Sequence, residues 1–216
     1  MNHSRHFISN AFLFFLIMLY STVGATDLPT AEEEREQQRR EAVELFCLTT
    51  GKSADYTSVT NCLSYDNANG LDSVKVVSAL DVVRFSKWND DETQKVLLKC
   101  YERNPYWLIR VKCVGTLLSF HNLQAENYAN SLLQDAALPL EAKLHISMDL
   151  ISVGNLQGYP ILLAGMASSN SLERILATEL KRHFAKYNGH VYDVNSGKKV
   201  DVATLGNQDE PPPTSQ

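Results

Sequence analysis

Between residues 71 and 187 short polar breaks divide the sequence into blocks of helical length, and this division limits the chain to a small set of folds. The breaks fall at residues 88–91, 104–105, 121–122, 138–139, 154–155 and 169–170. Within the blocks, apolar residues such as Val76, Leu80 and Val83 recur at intervals of three and four, the spacing of one helix face. Blocks of about 12–18 residues with breaks of two to four residues predict antiparallel helical hairpins and an all-α fold.

The helical blocks also repeat along the chain. The stretch 110–118 is followed by Ser-Phe-His-Asn-Leu-Gln, and 33 residues later the stretch 143–151 is followed by Ser-Val-Gly-Asn-Leu-Gln. The stretch 75–83 aligns 35 residues upstream of the first, and residues 174–184 give a degenerate fourth copy. Two helices in each period of 33 to 35 residues are the signature of an α-solenoid.

The composition of each copy points to a family of repeats. A basic residue is followed by an apolar step, a small residue and a closing apolar pair. In this the units resemble HEAT and armadillo-type repeats, whose second helix often carries such a pattern. The resemblance covers residues 73–187 and implies a HEAT-like α-solenoid, a right-handed stack of antiparallel helical hairpins. An irregular helical bundle is the alternative, and it is all-α as well.

The N-terminus has the pattern of a secretory signal peptide. A weakly basic start is followed by an unbroken apolar run over residues 11–20 and by Val-Gly-Ala at residues 23–25, which predicts cleavage after Ala25. An uncleaved anchor is the alternative, but the run holds only ten residues and a span takes about 20. We therefore expect an exported chain without stable membrane insertion. No Asn-x-Ser/Thr site follows Ala25, which favours a bacterial periplasm over a secreted eukaryotic chain.

The remaining segments complete the predicted organisation. Residues 29–50 and 54–65 predict two more helices, and residues 190–202 predict a small hairpin or extended cap around Asn-Ser-Gly. The Pro-rich end is too polar to pack. The predicted parts are a signal peptide over 1–25, a helical-repeat domain over 26–187, a C-terminal cap over 188–205 and a disordered tail over 206–216.

The net charge limits the classes of macromolecule that the chain is expected to bind. The formal charge of the whole chain is −5, and removing residues 1–25, which hold one arginine and no acid, takes it to −6. Binding to nucleic acid or to an anionic membrane needs clustered lysine and arginine. The expected partner is therefore another protein, preferably a cationic one. The sequence does not determine the oligomeric state.

The cysteines predict a disulfide framework. An even number of cysteines in an exported chain points to disulfides, because the compartment is oxidising. Of the three possible connectivities we favour Cys47–Cys62 and Cys100–Cys113, because the members of each pair are close in sequence. Buried thiols that serve as small core residues are the alternative.

The sequence offers few candidates for catalytic or ligand-binding residues. The sequence contains no nucleophile elbow, phosphate loop, dinucleotide fingerprint or His-Glu-x-x-His. Glu141, His145 and Asp149 share one helix face at four-residue spacing, which could transfer protons or hold a metal, but surface hydrogen bonding explains them better. A cysteine nucleophile paired with a histidine is disfavoured, because Cys47 and Cys100 come late in their helices. We predict no catalytic residue, no metal and no cofactor.

Two groups of residues are candidates for partner binding. The aromatic residues at two repeat boundaries are either inter-repeat core or exposed anchors. The polar stretch 64–70 is either an ordinary turn or a rigid acidic prong. The candidate residues are Tyr65, Asp66, Asn67, Asp72, Trp88, Tyr106 and Trp107.

The chain length, the predicted export and the predicted helical architecture together suggest a function. In these three properties the chain resembles periplasmic immunity proteins that neutralise type VI secretion effectors such as cell-wall amidases, although no sequence motif carries the resemblance. The expectation is thus an exported, non-catalytic protein-binding module that inhibits a toxin. The alternatives are a scaffold or assembly factor for envelope or secreted proteins, and an enzyme with an unrecognised site.

Overall fold

The fold is built from helices. A computed structural model describes residues 30–64, 70–187, 190–192 and 199–201. The helices are α1 (Ala31–Thr50), α2 (Tyr56–Leu63), α3 (Gly70–Ser86), α4 (Asp91–Arg103), α5 (Trp107–Ser119), α6 (Ala125–Gln134), α7 (Leu140–Ser152), α8 (Tyr159–Met166) and α9 (Ser171–Tyr187), with a 3-10 turn at Leu156–Gly158. The predicted all-α fold class is confirmed.

A short strand pair follows the last helix. Strands β1 (His190–Tyr192) and β2 (Lys199–Asp201) pair antiparallel with Val191 opposite Val200. The pair lies where the sequence predicts a hairpin. The predicted signal peptide, the turn of this hairpin and the predicted tail lie outside the described residues.

The chain divides into two compact units after Glu34. In the first, Thr30 and Glu33 cap the start of α1 reciprocally: the Thr30 backbone N–H donates to Glu33 Oε2 at 2.8 Å and the Glu33 N–H donates to Thr30 Oγ1 at 3.2 Å, a capping box. The second unit contains the rest of α1 and the other described helices. In the described residues no helix is long and apolar enough to span a bilayer.

The helix ends follow the polar breaks. Each of the six predicted breaks lies at a segment between helices, so the predicted block boundaries are confirmed. Two helices, α2 and α4, begin after an aspartate cap: Asp55 accepts from the Ser58 N–H at 2.9 Å, and Asp90 accepts from the Thr93 N–H at 2.9 Å. Such caps satisfy donors that a helix N-terminus leaves without partners.

Helices α3, α5 and α7 end in the same backbone motif. One or two residues after each end the backbone has positive φ, namely at Lys87 (55°), His121 (56°) and Gly154 (90°). The next N–H reaches back five residues, from Trp88 to Val83 (3.2 Å), from Asn122 to Leu117 (3.1 Å) and from Asn155 to Leu150 (2.9 Å). These are Schellman motifs. The positive-φ residues Lys87 and His121 are 34 residues apart. This corrects the spacing of 35 residues that the sequence predicts between the stretches 75–83 and 110–118.

The core of the second unit lies between two sets of helices. Helices α3, α5, α7 and α9 contact one another in succession, and each also packs on the helix that precedes it. Helix α2 also contacts α4. The largest fully buried side chains come from both sets, for example Leu117 and Leu144 from one and Leu97 and Leu132 from the other.

The cysteines differ from the prediction. Cys47, Cys62, Cys100 and Cys113 are thiols in the structure, so neither predicted disulfide is formed. All except Cys47 are buried. Burial, and second a hydrogen bond with the Cys100 side chain, raise the pKa of the Cys113 thiol. The even count predicts an oxidised framework, whereas the packing uses these residues as small core side chains.

Thiol accessibility tests this correction. We expect a thiol reagent to modify Cys47 in the native protein and all four cysteines after denaturation, because only Cys47 has appreciable exposure. Intact mass after alkylation counts the modified thiols. A native, exported protein four hydrogens lighter than its reduced form would instead establish the two disulfides.

Candidate functional site

Charged side chains connect α3, α5 and α7 across their surface. Lys112 Nζ lies 2.5 Å from Asp81 Oδ1, and Arg84 Nη2 lies 2.7 Å from Asp149 Oδ1. The first pair joins α5 to α3, and the second joins α3 to α7. Together with His145 these residues form a group that we call the polar ladder. Its cations and carboxylates compensate one another, so its evident effect is to hold three helices in register.

Helix α5 has a glycine where the second pair crosses it. A Cβ on Gly115 would collide with the Asp149 carboxylate and would lie 3.3 Å from Arg84 Nη1. Arg84 can therefore reach Asp149 from α3 only because position 115 has no side chain. This glycine serves close approach, since it lies inside a helix where alanine would be the better helix former.

His145 is held neutral inside the polar ladder. Burial lowers the pKa of its imidazole to about 4, and the positive charges of Lys112 and Arg84 act in the same direction while Asp149 opposes them. Asp149 Oδ1 accepts from Arg84 Nη2. In the described residues no cluster of three or more His, Cys, Asp or Glu is arranged to hold a metal ion. His145 interacts with Asp149, whereas the charge interactions of Glu141 are with Glu173 and Tyr106.

Glu141 has a separate environment near the start of α7. Burial, and second the negative charge of Glu173, raise the pKa of its carboxyl group. The negative charge of Glu141 in turn contributes, after burial, to a raised pKa of the Tyr106 hydroxyl. At neutral pH an ionised Glu141 therefore opposes folding.

Replacing Glu141 by glutamine tests this account. Because a raised carboxyl pKa favours the neutral folded state, Glu141→Gln should raise the free energy of unfolding at pH 7, by roughly 0.5–1 kcal/mol. The gain should shrink as the pH falls and the wild-type carboxyl becomes protonated. Urea unfolding at pH 7 and pH 4 measures it, with the exposed Glu102→Gln as control. An equal gain at both pH values would show that charge is not the cause.

The two Asn-Leu-Gln segments have the same geometry. Asn122 Nδ2 donates to Gln94 Oε1 at 2.8 Å, and its Oδ1 accepts from the Gln124 N–H at 3.0 Å. Asn155 Nδ2 donates to Glu126 Oε2 at 2.8 Å, and its Oδ1 accepts from the Gln157 N–H at 3.0 Å. Each asparagine thus fixes its own turn and fastens it to the preceding even-numbered helix.

An aromatic contact joins the start of α2 to the segment between α3 and α4. The rings of Tyr56 and Trp88 have centroids 5.5 Å apart at 47°. The Tyr56 hydroxyl lies 3.1 Å from Thr93 Oγ1 and 3.4 Å from Asp90 Oδ1. These contacts and the asparagine bonds link neighbouring segments into one surface, which we call the loop edge and which comprises residues 53–57, 87–94, 120–126 and 153–157.

The loop edge is acidic and partly apolar. It carries Asp55, Asp90, Asp91, Glu92 and Glu126 against the single basic residue Lys87. Hydrogen bonds from Ser53 and Ser58 lower the pKa of Asp55 to about 2, and hydrogen bonds from Thr93 lower the pKa of Asp90. Leu123 is 95% exposed and Tyr56 is 40% exposed.

The structure separates the predicted partner-binding residues. Tyr65, Asp66 and Asn67 lie outside the described residues. Asp72 is exposed and lies 3.0 Å from Lys75 Nζ.

The aromatic candidates form two groups. Trp88 is partly buried on the loop edge, whereas Tyr106 and Trp107, with ring centroids 6.0 Å apart, lie at the other end of α4. A helix of 13 residues is about 20 Å long, so the predicted aromatic group is not one surface. Tyr56 and Leu123 are not among the residues predicted from the sequence, although the repeated Asn-Leu-Gln segment that contains Leu123 is evident there.

A shallow recess lies near the end of α4. The Arg110 guanidinium lies 5.0 Å from the centre of the Tyr101 ring, and its Nη2 donates to the Tyr101 hydroxyl at 3.2 Å. Tyr101 also contacts Tyr128 with ring centroids 4.9 Å apart. The recess, of about 370 Å³, is also lined by Asn104 and Pro105. Its arginine is already engaged by the tyrosine, which suits a structural contact.

Comparison with known proteins gives no similarity from which a function of these surfaces can be inferred. The sequence matches no protein-family model, and no significant similarity links the chain to a curated protein or to a solved structure.

Proposed function

We propose that the mature chain is an exported, non-catalytic protein-binding module whose helix pairs stack as HEAT-like repeats. The pairs are α2–α3, α4–α5, α6–α7 and α8–α9. The observation that carries the proposal is the common end geometry of α3, α5 and α7, with positive φ at Lys87, His121 and Gly154. Successive contacts among α3, α5, α7 and α9 support the same arrangement.

Stacked helix pairs offer an extended surface to other polypeptides. Each pair contacts its neighbours, so the surface grows with the number of units. The step from this architecture to protein binding is an analogy at the level of the fold. The ladder pairs Lys112–Asp81 and Arg84–Asp149 favour it, because they give the row fixed spacing and so lower the cost of ordering a binding surface.

Within this class we propose an immunity protein that binds and neutralises a periplasmic toxin, such as a cell-wall amidase. The acidic balance of the chain, with a formal charge of −5, suits a cationic partner and would speed their encounter at low salt. A scaffold or assembly factor for envelope or secreted proteins is the second candidate, because the same surface could hold a client.

Co-expression with a candidate toxin tests the proposal. The product of the neighbouring gene, directed to the periplasm of a host bacterium, should arrest growth, and the full-length chain should restore it. A chain without residues 1–25 should not protect, because it stays in the cytoplasm. Calorimetry should give a Kd near the nanomolar range, about −12 kcal/mol. A non-toxic neighbour whose assembly depends on the chain would favour the scaffold, and toxicity that the chain does not relieve would refute immunity.

A further inference from the structure

The loop edge combines exposed apolar side chains with a rigid backbone. Leu123 is 95% exposed in a turn that Asn122 fixes through two hydrogen bonds, to Gln94 and from Gln124. A leucine held in this way contributes little to the core. It is available for contact without a large loss of loop entropy.

One repeat earlier, the loop edge presents an aromatic pair. Trp88 is partly buried against Tyr56, which is 40% exposed. The Tyr56 hydroxyl is held by Thr93 and Asp90, so the ring has a fixed orientation. Aromatic faces beside carboxylates attract ammonium and guanidinium groups through the ring quadrupole as well as through charge.

Charge is unevenly distributed along α4. Its first turn and cap carry Asp90, Asp91 and Glu92, whereas Arg103 lies in its last turn. Acids at a helix N-terminus stabilise the helix in their own right, so charge alone marks no site. The exposed leucine and the aromatic pair on the same surface are independent of that explanation.

We infer that the loop edge is the docking surface for a cationic polypeptide segment that also carries apolar side chains. Arginine or lysine side chains of the partner contact Asp91, Glu92 and the faces of Tyr56 and Trp88, while an apolar side chain covers Leu123. The inference deepens the proposed function and rests on it, because it names where the partner binds and what its surface contains.

A pair of matched variants tests the inference. The loop-edge variant combines Leu123→Ser, Asp91→Asn and Glu92→Gln. The control variant combines Leu48→Ser, Glu44→Gln and Glu102→Gln, which removes the same charge and one leucine that is 76% exposed. All six positions are exposed, so both variants should fold, as circular dichroism and thermal unfolding will verify.

The first measurement uses a labelled nonapeptide of alternating arginine and leucine, with a glutamate–leucine peptide for comparison, by fluorescence anisotropy at about 0.15 M salt. We expect the loop-edge variant to bind the arginine peptide at least tenfold more weakly than the wild type, and the control variant within twofold. Equal weakening in both variants would show a response to net charge only and would overturn the inference. Absence of binding by the wild type would overturn it as well.

The second measurement separates the inference from the proposed function. In the co-expression assay, the loop-edge variant should lose protection and the control variant should keep it. Full protection by the loop-edge variant would place docking elsewhere and leave the immunity proposal intact. Failure of the wild-type chain to protect would refute the immunity proposal, while the peptide measurement would still decide whether this surface binds cationic segments.

Discussion

Replacing Asp149 by alanine should lower the free energy of unfolding by about 2 kcal/mol. The substitution removes the carboxylate that Arg84 Nη2 contacts at 2.7 Å and leaves two cations, Arg84 and Lys112, near His145. The side chains of the pair are 32% and 14% exposed. The expected loss therefore lies between the values for exposed pairs, about 0–1 kcal/mol, and those for breaking buried pairs, about 3–5 kcal/mol.

A double-mutant cycle with Arg84→Met isolates the interaction. We expect the double variant to lose about 1 kcal/mol less than the sum of the single losses, because each single change already removes the contact. The control is Asp72→Ala, which breaks the more exposed pair with Lys75 within α3 and should cost less than about 0.5 kcal/mol. Equal losses of unfolding free energy for Asp72→Ala and Asp149→Ala would show that the Arg84–Asp149 pair stabilises the fold no more than an exposed ion pair does.

Gly115→Ala provides an independent check on the same contact. In a helix interior alanine is favoured over glycine by about 1 kcal/mol, so an unobstructed site would be stabilised. At position 115 the added Cβ meets Asp149 and Arg84, and we expect net destabilisation in urea unfolding. A more stable variant would mean that Arg84 and Asp149 can separate without cost.

Local features of the sequence were enough to predict the helices and their ends. Pro139 and Gly154 mark breaks because their backbones do not continue a helix readily, and Asp90 marks a start because its carboxylate caps one. These signals depend on neighbouring residues alone. The predicted helices over residues 29–50 and 54–65 correspond to α1 and α2 for the same reason.

Features that depend on packing between distant residues were not predictable. Arg84 and Asp149 are 65 residues apart, and their contact requires that α3, α5 and α7 align with Gly115 at the crossing. Nothing near either residue signals this. The even number of cysteines predicts disulfides because an exported chain meets an oxidising compartment. Whether two cysteines can form a disulfide, however, depends on where their side chains lie in the core. Trp88 and Tyr106 lie at successive repeat boundaries in the sequence, and helix α4 separates them in space.

The stability of the protein should depend on pH through His145. Its folded pKa, about 4, lies below the ordinary value of 6.5, so the unfolded chain binds more protons between these values. Stability contributed by the neutral imidazole is therefore present above pH 6.5 and is lost as the pH falls toward 4. The groups that face it are Asp149 on its own helix, Lys112 on α5 and Arg84 on α3, and the two cations make a further positive charge more costly.

Comparison of the wild type with His145→Gln measures this dependence. Glutamine keeps polar character but does not titrate, so its loss of unfolding free energy between pH 7 and pH 4.5 should be about 2 kcal/mol smaller than that of the wild type. Urea unfolding at several pH values in this range measures the difference, and stopping at pH 4.5 limits the contribution of carboxyl groups. His121→Gln serves as the control for replacing a histidine at an exposed position. Parallel slopes for wild type and His145→Gln would mean that His145 accepts a proton in the folded protein, and the ladder would then tolerate a third positive charge.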